Sequence, residues 1–197
     1  MCSQRTYVIL GVVGVIITVA VVLTLPLKGT FIRRCKGFKK YDCENLWSVF
    51  QQAYVGKDPC NVPTEAYDPL IATAPFKPAC NRHFTKKREC FLTLEKTLLG
   101  SVLRALTWCG EEGSSETFTS GCPDWRKCEN NPVDSFWRSA SAAFADVACG
   151  DVTAVLDGSI ETPFDPKSIF GSIELKRFKS PRVRSLKIVL VSQKKAV

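Results

Sequence analysis

Histidine is nearly absent from this 197-residue sequence, in which His83 is the single example. The ten cysteines contain no CxxC pair. Structural zinc is held by four Cys or His side chains that usually arrive in such closely spaced pairs. We therefore predict no metal site, and we interpret His83, beside Arg82 and Lys86, as a surface residue. The Asn-x-Ser/Thr acceptor of N-glycosylation is missing as well.

Cysteine, by contrast, is abundant, and nine of the ten cysteines follow residue 25. Cytosolic proteins seldom carry so many thiols without a metal, so this pattern favours disulfide bonds and an oxidising compartment. A hydrophobic content of 45% excludes a disordered chain. The part after residue 25 is long enough for one domain or two small lobes.

Residues 7–25 carry no charge and match the thickness of a bilayer core, so they are predicted to form a transmembrane helix. Six Lys and Arg residues follow between positions 28 and 40, and the positive-inside rule would keep the C-terminal part cytosolic. The cysteines favour the opposite orientation, which we prefer: a cytoplasmic tail at 1–6, a signal anchor, and a stalk at 26–34. A cleaved signal peptide is the alternative, although no A-x-A site follows.

Helical periodicity marks three segments of the N-terminal half. Residues 44–55 and 93–106 each place their apolar side chains on one face. Asn131 and Pro132 have the chemistry of an N-cap and a first helical residue, and they predict a third helix. The proline-rich stretch 59–78 is predicted as loop and turn.

After Cys149 the sequence favours strands over 152–156, 169–175 and 185–191. The last of these is almost entirely apolar, as in a strand covered on both faces. We therefore predict an α/β fold, with a helical lobe over 35–150 and a C-terminal lobe over 151–197 that contains a small parallel sheet.

Five ordered motifs resemble the ADP-ribosyl cyclase family: TLEKTLLG (93–100), LTWCGE (106–111), CPDWRKCENNPVDSFW (122–137), LDGS (156–159) and FGSIEL (170–175). The resemblance covers about residues 35–191 and is closest to the vertebrate leukocyte-surface type II membrane glycoprotein. It implies an NAD glycohydrolase that makes and hydrolyses cyclic ADP-ribose, with NAD bound between two lobes as substrate and no cofactor. It also implies an extracellular C-terminal domain on the cell membrane and a role in calcium signalling.

The resemblance also assigns roles to individual residues. Glu174 in FGSIEL matches the catalytic glutamate, and Trp137 in VDSFW matches a tryptophan that stacks on the substrate. Glu95 in TLEK matches the glutamate that biases cyclisation against hydrolysis. Ser141, one helical turn after Trp137, matches a serine near the substrate ribose and phosphate.

These residue types suit cleavage of the nicotinamide–ribose bond. The reaction builds positive charge at the anomeric carbon, and a carboxylate beneath that carbon stabilises or captures it, as in retaining glycosidases. The flat cationic nicotinamide is suited to stacking on an indole face. Considered alone, each residue also has a plainer interpretation: Glu174 and Glu95 as exposed charges, and Trp137 as a core residue.

The sequence departs from the family pattern at several points, and it is shortened internally and at the C-terminus relative to that pattern. About a dozen family residues, including a second active-site tryptophan, have no counterpart in the junction 80–91. Arg104 stands where the family usually has an acidic residue facing the active site, and Ile169 replaces a hydroxyl residue. The family continues for about fifty further residues after the QKKAV end.

The cysteine pattern of the family implies four disulfides, which the sequence alone could not select among the pairings of eight cysteines. The implied pairs are Cys35–Cys43, Cys60–Cys128, Cys80–Cys149 and Cys109–Cys122. Cys90 has no implied partner, so we predict a disulfide-linked homodimer through it. Cys2 lies on the cytosolic side and is at best an acylation site.

Two other classes of function compete with the enzyme. One is a catalytically weak or inactive receptor or adhesion ectodomain that keeps the family fold. The other is nucleic-acid binding by the basic residues of the segment 176–195. We predict no nucleic-acid partner, because Phe178 is the only aromatic side chain among those charges and the compartment is unsuitable.

Overall fold

The computed structural model describes residues 27–78 and 92–192. The predicted transmembrane segment 7–25 lies outside these residues, as do His83, Cys80, Cys90 and the junction 80–91. Within the described ranges, no helix is both long and apolar enough to cross a bilayer.

Six α-helices and two β-strands form the described part of the chain. The helices are α1 (27–36), α2 (Cys43–Gln52), α3 (Asp68–Thr73), α4 (Leu98–Leu103), α5 (Pro132–Asp146) and α6 (Leu175–Arg177). The strands are β1 (Gly150–Asp157) and β2 (Val183–Val191). Three single turns join them: a 3-10 turn at Thr64–Tyr67, the Glu95 turn (Leu94–Lys96) and the Glu174 turn (Phe170–Glu174, a π-helical turn).

The predicted stalk at 26–34 is wrong from residue 27 onward, because these residues form α1 and pack into the core. Leu27 and Phe31 are 3% and 1% exposed. Their four-residue spacing puts them on one helical face together with Cys35. The Phe31 ring lies 5.3 Å from that of Trp47 on α2. The folded unit therefore includes the segment interpreted as a linker.

The helix predicted over 44–55 is confirmed as α2, which the Asp42 side chain caps by accepting from the backbone N–H groups of Glu44 and Asn45. The proline-rich stretch is more ordered than predicted, since it contains the turn Thr64–Tyr67 and α3. Pro69 lies in the first turn of α3, where a missing N–H costs nothing.

The single helix predicted over 93–106 is divided at Thr97. That residue is extended, and its side chain accepts from the N–H of Gly100 as the N-cap of α4. A Cβ on Gly100 would overlap the carbonyl of Leu94, so glycine permits the Glu95 turn to fold back closely onto α4. The predicted apolar stripe is nevertheless buried from Leu94 to Leu103.

The third predicted helix is confirmed as α5. The Asn131 side chain accepts from the N–H groups of Val133 and Asp134 at its start. A buried chain of hydrogen bonds anchors that end: Trp108 Nε1 donates to the Tyr67 hydroxyl at 2.9 Å, and that hydroxyl donates to the Pro132 carbonyl at 2.8 Å. The helix that carries the candidate site is thus fixed to the aromatic core.

The parallel sheet is confirmed as a two-stranded pair of β1 and β2. The prediction that 185–191 is covered on both faces is wrong for the described chain, since Ile188 and Leu190 of β2 are 53% and 57% exposed. The strand predicted at 169–175 is also wrong. That segment is helical, because Ser172 donates its backbone N–H and its hydroxyl to the Ser168 carbonyl.

Three of the implied disulfides are formed: Cys35–Cys43, Cys60–Cys128 and Cys109–Cys122. Cys149 is disulfide-bonded as well. Its predicted partner Cys80 is outside the described residues. Cys60–Cys128 joins sequence positions 68 residues apart within the helical part of the chain.

Candidate active site

Helix α5 is the scaffold of the candidate site, because the Glu95 turn and the Glu174 turn both pack against it. Trp137 and Ser141 lie one helical turn apart on α5 and therefore share a face. Residues predicted from three separate sequence motifs are thus brought to one side of a single helix.

Glu174 is the half-buried carboxylate of this cluster. Its pKa is raised above the ordinary value for glutamate, mainly because burial disfavours the charged form. The neighbouring charge of Glu95 raises the pKa further, whereas a hydrogen bond from the Ser141 hydroxyl lowers it. Glu174 therefore interacts with both Ser141 and Glu95, and the three residues form one electrostatic cluster.

Ser141 is 4% exposed, so its hydroxyl belongs to the interior rather than to the solvent. A hydroxyl that donates to a partly buried carboxylate stabilises the ionised form. Ser141 thereby opposes the effect of burial on Glu174. Apart from the family resemblance, the sequence gives Ser141 no role, since a serine on a helix has no distinguishing pattern.

An open cleft of about 600 Å³ lies beside the cluster. It is lined by Trp137 and Glu95, and also by Thr93, Lys96 and Arg104. Trp137 is half-buried and rests edge-on against Phe136, with ring centroids 5.0 Å apart. The buried Phe136 ring thus contacts the Trp137 indole, while the Trp137 side chain borders the cleft.

The two cations that line the cleft are Lys96 and Arg104, and only one of them was singled out from the sequence. Arg104 was singled out because it departs from the family pattern. Lys96 was not, although it directly follows Glu95 in a one-turn helix and therefore had to lie near the same cleft. Both side chains are exposed.

Arg104 occupies a backbone position that is held firmly in place. It ends α4 with ψ of 130°, and Ala105 then adopts the left-handed conformation at φ of 56°. The guanidinium of Arg34 donates to the Val102 carbonyl at 2.9 Å and to the Arg104 carbonyl at 2.7 Å. This contact from α1 satisfies carbonyls at the C-terminus of α4, and the Arg104 side chain borders the cleft.

No group of His, Cys, Asp and Glu side chains suited to a metal occurs in the described ranges 27–78 and 92–192. The cleft and the neighbouring Glu174 offer two carboxylates, an indole ring and two cations. Such a set can stabilise a developing positive charge and can orient a flat ring.

A family model described as ADP-ribosyl cyclase matches residues 24–197. The chain belongs to the ADP-ribosyl cyclase family. It is 35% identical over 158 residues to ADP-ribosyl cyclase/cyclic ADP-ribose hydrolase 1 of Rattus norvegicus, with 74% of this chain and 52% of the relative covered. It is 30% identical over 196 residues to the ADP-ribosyl cyclase/cyclic ADP-ribose hydrolase of Aplysia californica, with 87% and 70% covered. The chain thus spans about half the length of the rat relative.

Solved structures of the family have the same fold. Porcine CD38 complexed with a covalent intermediate, ribo-F-ribose-5'-phosphate, matches with a TM-score of 0.77 at 34% identity, covering 88% of this chain and 84% of that one. Aplysia cyclase complexed with the substrate NGD and the product cGDPR matches with a TM-score of 0.73 at 27% identity, covering 87% and 78%. The sequence resemblance to the ADP-ribosyl cyclase family is therefore confirmed.

Proposed function

We propose that this protein cleaves the nicotinamide–ribose bond of NAD, releasing nicotinamide and forming ADP-ribose and cyclic ADP-ribose, and that it also hydrolyses cyclic ADP-ribose. The observation that supports this most strongly is the placement of Glu174 beside Ser141 and Glu95, next to a cleft bordered by Trp137. Membership of the ADP-ribosyl cyclase family supports the same reaction.

In this mechanism Glu174 acts on the anomeric carbon of the nicotinamide ribose. As the carbon–nitrogen bond breaks, its electron pair stays on the ring nitrogen, and the pyridinium leaves as neutral nicotinamide. The Glu174 carboxylate stabilises the resulting positive charge or bonds to the carbon. Attack by water then yields ADP-ribose and a proton, whereas attack by the adenine ring of the same molecule yields the cyclic product.

The other residues of the cleft position the substrate. Trp137 offers an indole face for the nicotinamide ring, an attraction strengthened while the ring is cationic. Glu95 borders the same cleft and would contact the carboxamide, so we propose that it influences the choice between water and adenine. A covalent intermediate has been captured in porcine CD38, which is consistent with a carboxylate nucleophile in this family.

The cellular setting belongs to the proposal as well. Disulfides among the described cysteines fit an oxidising compartment. We propose a single-pass type II protein anchored by residues 7–25, with the enzyme domain outside the cell. The disulfide-linked homodimer through Cys90 stays a prediction, because that residue lies outside the described ranges.

A second candidate function is favoured by the two cations of the cleft. Lys96 and Arg104 lie where a cationic pyridinium would have to bind, and like charges oppose one another. An ectodomain that keeps the fold but turns over NAD weakly would have such a cleft. This alternative predicts a folded protein with little NAD cleavage.

The deciding experiment compares the full chain with its Glu174→Gln variant in an assay of NAD consumption. A matched control is Glu161→Gln, which removes an exposed carboxylate of the same C-terminal part. The proposal requires that wild type and Glu161→Gln cleave NAD and that Glu174→Gln does so far more slowly. Absence of cleavage by the folded wild type would favour the non-catalytic alternative.

A further inference from the structure

A second pocket of about 400 Å³ lies on another face of α5, away from the Trp137 cleft. Three cations line it: Arg138 from α5 and Lys176 and Arg177 from α6. Two hydroxyl side chains, Thr64 and Ser172, border it as well. Among the described residues that line it there is no carboxylate, so its polar lining consists of three cations and two hydroxyls, of which the Ser172 hydroxyl already donates to the Ser168 carbonyl.

Both arginines are held in place by carboxylates outside the lining. Arg138 donates through Nε to Asp134, one turn earlier on α5. Arg177 donates through Nη1 to Asp146 at 2.7 Å, which fastens α6 to the end of α5. Each guanidinium has further N–H groups for which no other partner occurs within the described ranges, and a guanidinium held by one edge is preorganised to bind an oxyanion with another.

Lys176 is the third cation of the pocket, and its charge is additional to the two arginine–aspartate pairs. It is exposed, and within residues 27–78 and 92–192 it forms no ion pair. Three cations against two carboxylates give the pocket a net positive charge. A small anion with several oxygen atoms satisfies this arrangement better than a neutral ligand.

The remaining walls of the pocket are apolar. Ala142 and Ile173 line it beside the charged groups. The volume lies within the range of roughly 300–1,000 Å³ that is typical of small-molecule sites, so the pocket has room for more than a bare inorganic ion. An organic group attached to the anion could pack against these two side chains.

We propose that this second pocket binds a small phosphate ester, with the phosphate contacted by Arg138, Lys176 and Arg177. The pocket is separate from the cleft in which NAD cleavage is proposed. The two sites share elements, however, since Ser172 precedes Glu174 by two residues in one turn, and Arg138 directly follows Trp137. The phosphate-ester site does not depend on the reaction proposed for Glu174.

The test is a calorimetric titration of the purified full chain with ribose 5-phosphate, with inorganic phosphate and ribose as separate titrants. We expect ribose 5-phosphate to bind, inorganic phosphate to bind more weakly and ribose not to bind. Lys176→Glu should weaken ribose 5-phosphate at least about tenfold, because it replaces a charge-assisted contact by repulsion. Lys187→Glu makes the same charge change at an exposed position on β2 and should retain binding.

Two further variants separate this site from the proposed active site. Arg104→Glu alters the Trp137 cleft, and Glu174→Gln removes the candidate nucleophile; both should bind ribose 5-phosphate as wild type does. Loss of binding in Arg104→Glu with retention in Lys176→Glu would place the ligand in the cleft and overturn the proposal. Equal weakening by Lys176→Glu and Lys187→Glu, or no binding by wild type, would also overturn it. Thermal unfolding of each variant verifies that it is folded.

Discussion

The Ser141 hydroxyl on α5 hydrogen bonds to the carboxylate of Glu174, although the two residues are 33 positions apart in sequence. Burial and the charge of Glu95 raise the pKa of Glu174, and Ser141 is the partner that lowers it. Ser141, a buried neutral side chain, therefore partly opposes the two effects that disfavour the ionised form of the proposed nucleophile.

Ser141→Ala is expected to shift the pH profile of NAD cleavage upward. Without the hydrogen bond the pKa of Glu174 rises further, and a nucleophilic carboxylate is lost as pH falls through that pKa. The acid limb of kcat/KM should therefore move to higher pH. Ser139→Ala, which alters another buried serine of α5, should leave the limb in place. An unshifted limb in Ser141→Ala would contradict the assigned contact.

Glu95→Gln is expected to have the opposite effect on the same limb. The charge of Glu95 raises the pKa of Glu174, so its removal should move the acid limb to lower pH. The ratio of cyclic to linear product should change as well, and more strongly than total NAD consumption. An unchanged ratio with collapsed consumption would instead give Glu95 a structural or directly catalytic role.

Arg104→Asp is expected to improve NAD cleavage. The arginine borders the cleft beside Trp137, where a cationic nicotinamide ring would bind. Reversal of this exposed charge beside the bound nicotinamide ring should raise kcat/KM by roughly threefold to tenfold, mainly through a lower KM. Lys127→Asp, an exposed reversal in a surface turn, is the matched control. If both variants gained equally, the effect would be one of overall charge and not of the cleft.

Phe31→Ala is expected to destabilise the folded domain by about 3–5 kcal/mol, the usual cost of removing a buried aromatic ring. Phe31 is 1% exposed and packs on both Trp47 and Phe50. Arg33→Ala, at an exposed position of the same helix, should change stability little. Chemical denaturation measures both. Equal stability of Phe31→Ala and wild type would restore the interpretation of this segment as a stalk.

Local chemistry explains which parts of the fold were predictable. The Asp42 and Asn131 caps and the apolar stripes behind them depend on nearby residues, so α2 and α5 could be located from sequence. The division of the helix at Thr97 depends instead on the close approach of Gly100 to Leu94. The residue types at positions 94 and 100 do not by themselves predict that these two backbone segments will be in contact.

The Glu174 turn shows the same limitation at the site. Alternating apolar residues from Ile169 to Leu175 have the period of a strand, yet the segment is helical, with Ser172 bonded to Ser168. Gly171 allows this turn to pass close to the Asp165 carbonyl, where a Cβ would lie 2.7 Å from the oxygen. The family motif singled out Glu174 in the sequence, but only the fold places it beside Ser141.

The central claim is tested most directly by the rate of NAD cleavage in Glu174→Gln relative to wild type. Loss of the stabilising charge should reduce the rate about 100- to 1,000-fold. The variant should remain folded, because the replaced carboxylate is partly buried and near Glu95, so its thermal stability should equal or exceed that of wild type. Wild-type turnover by a folded Glu174→Gln variant would contradict the account.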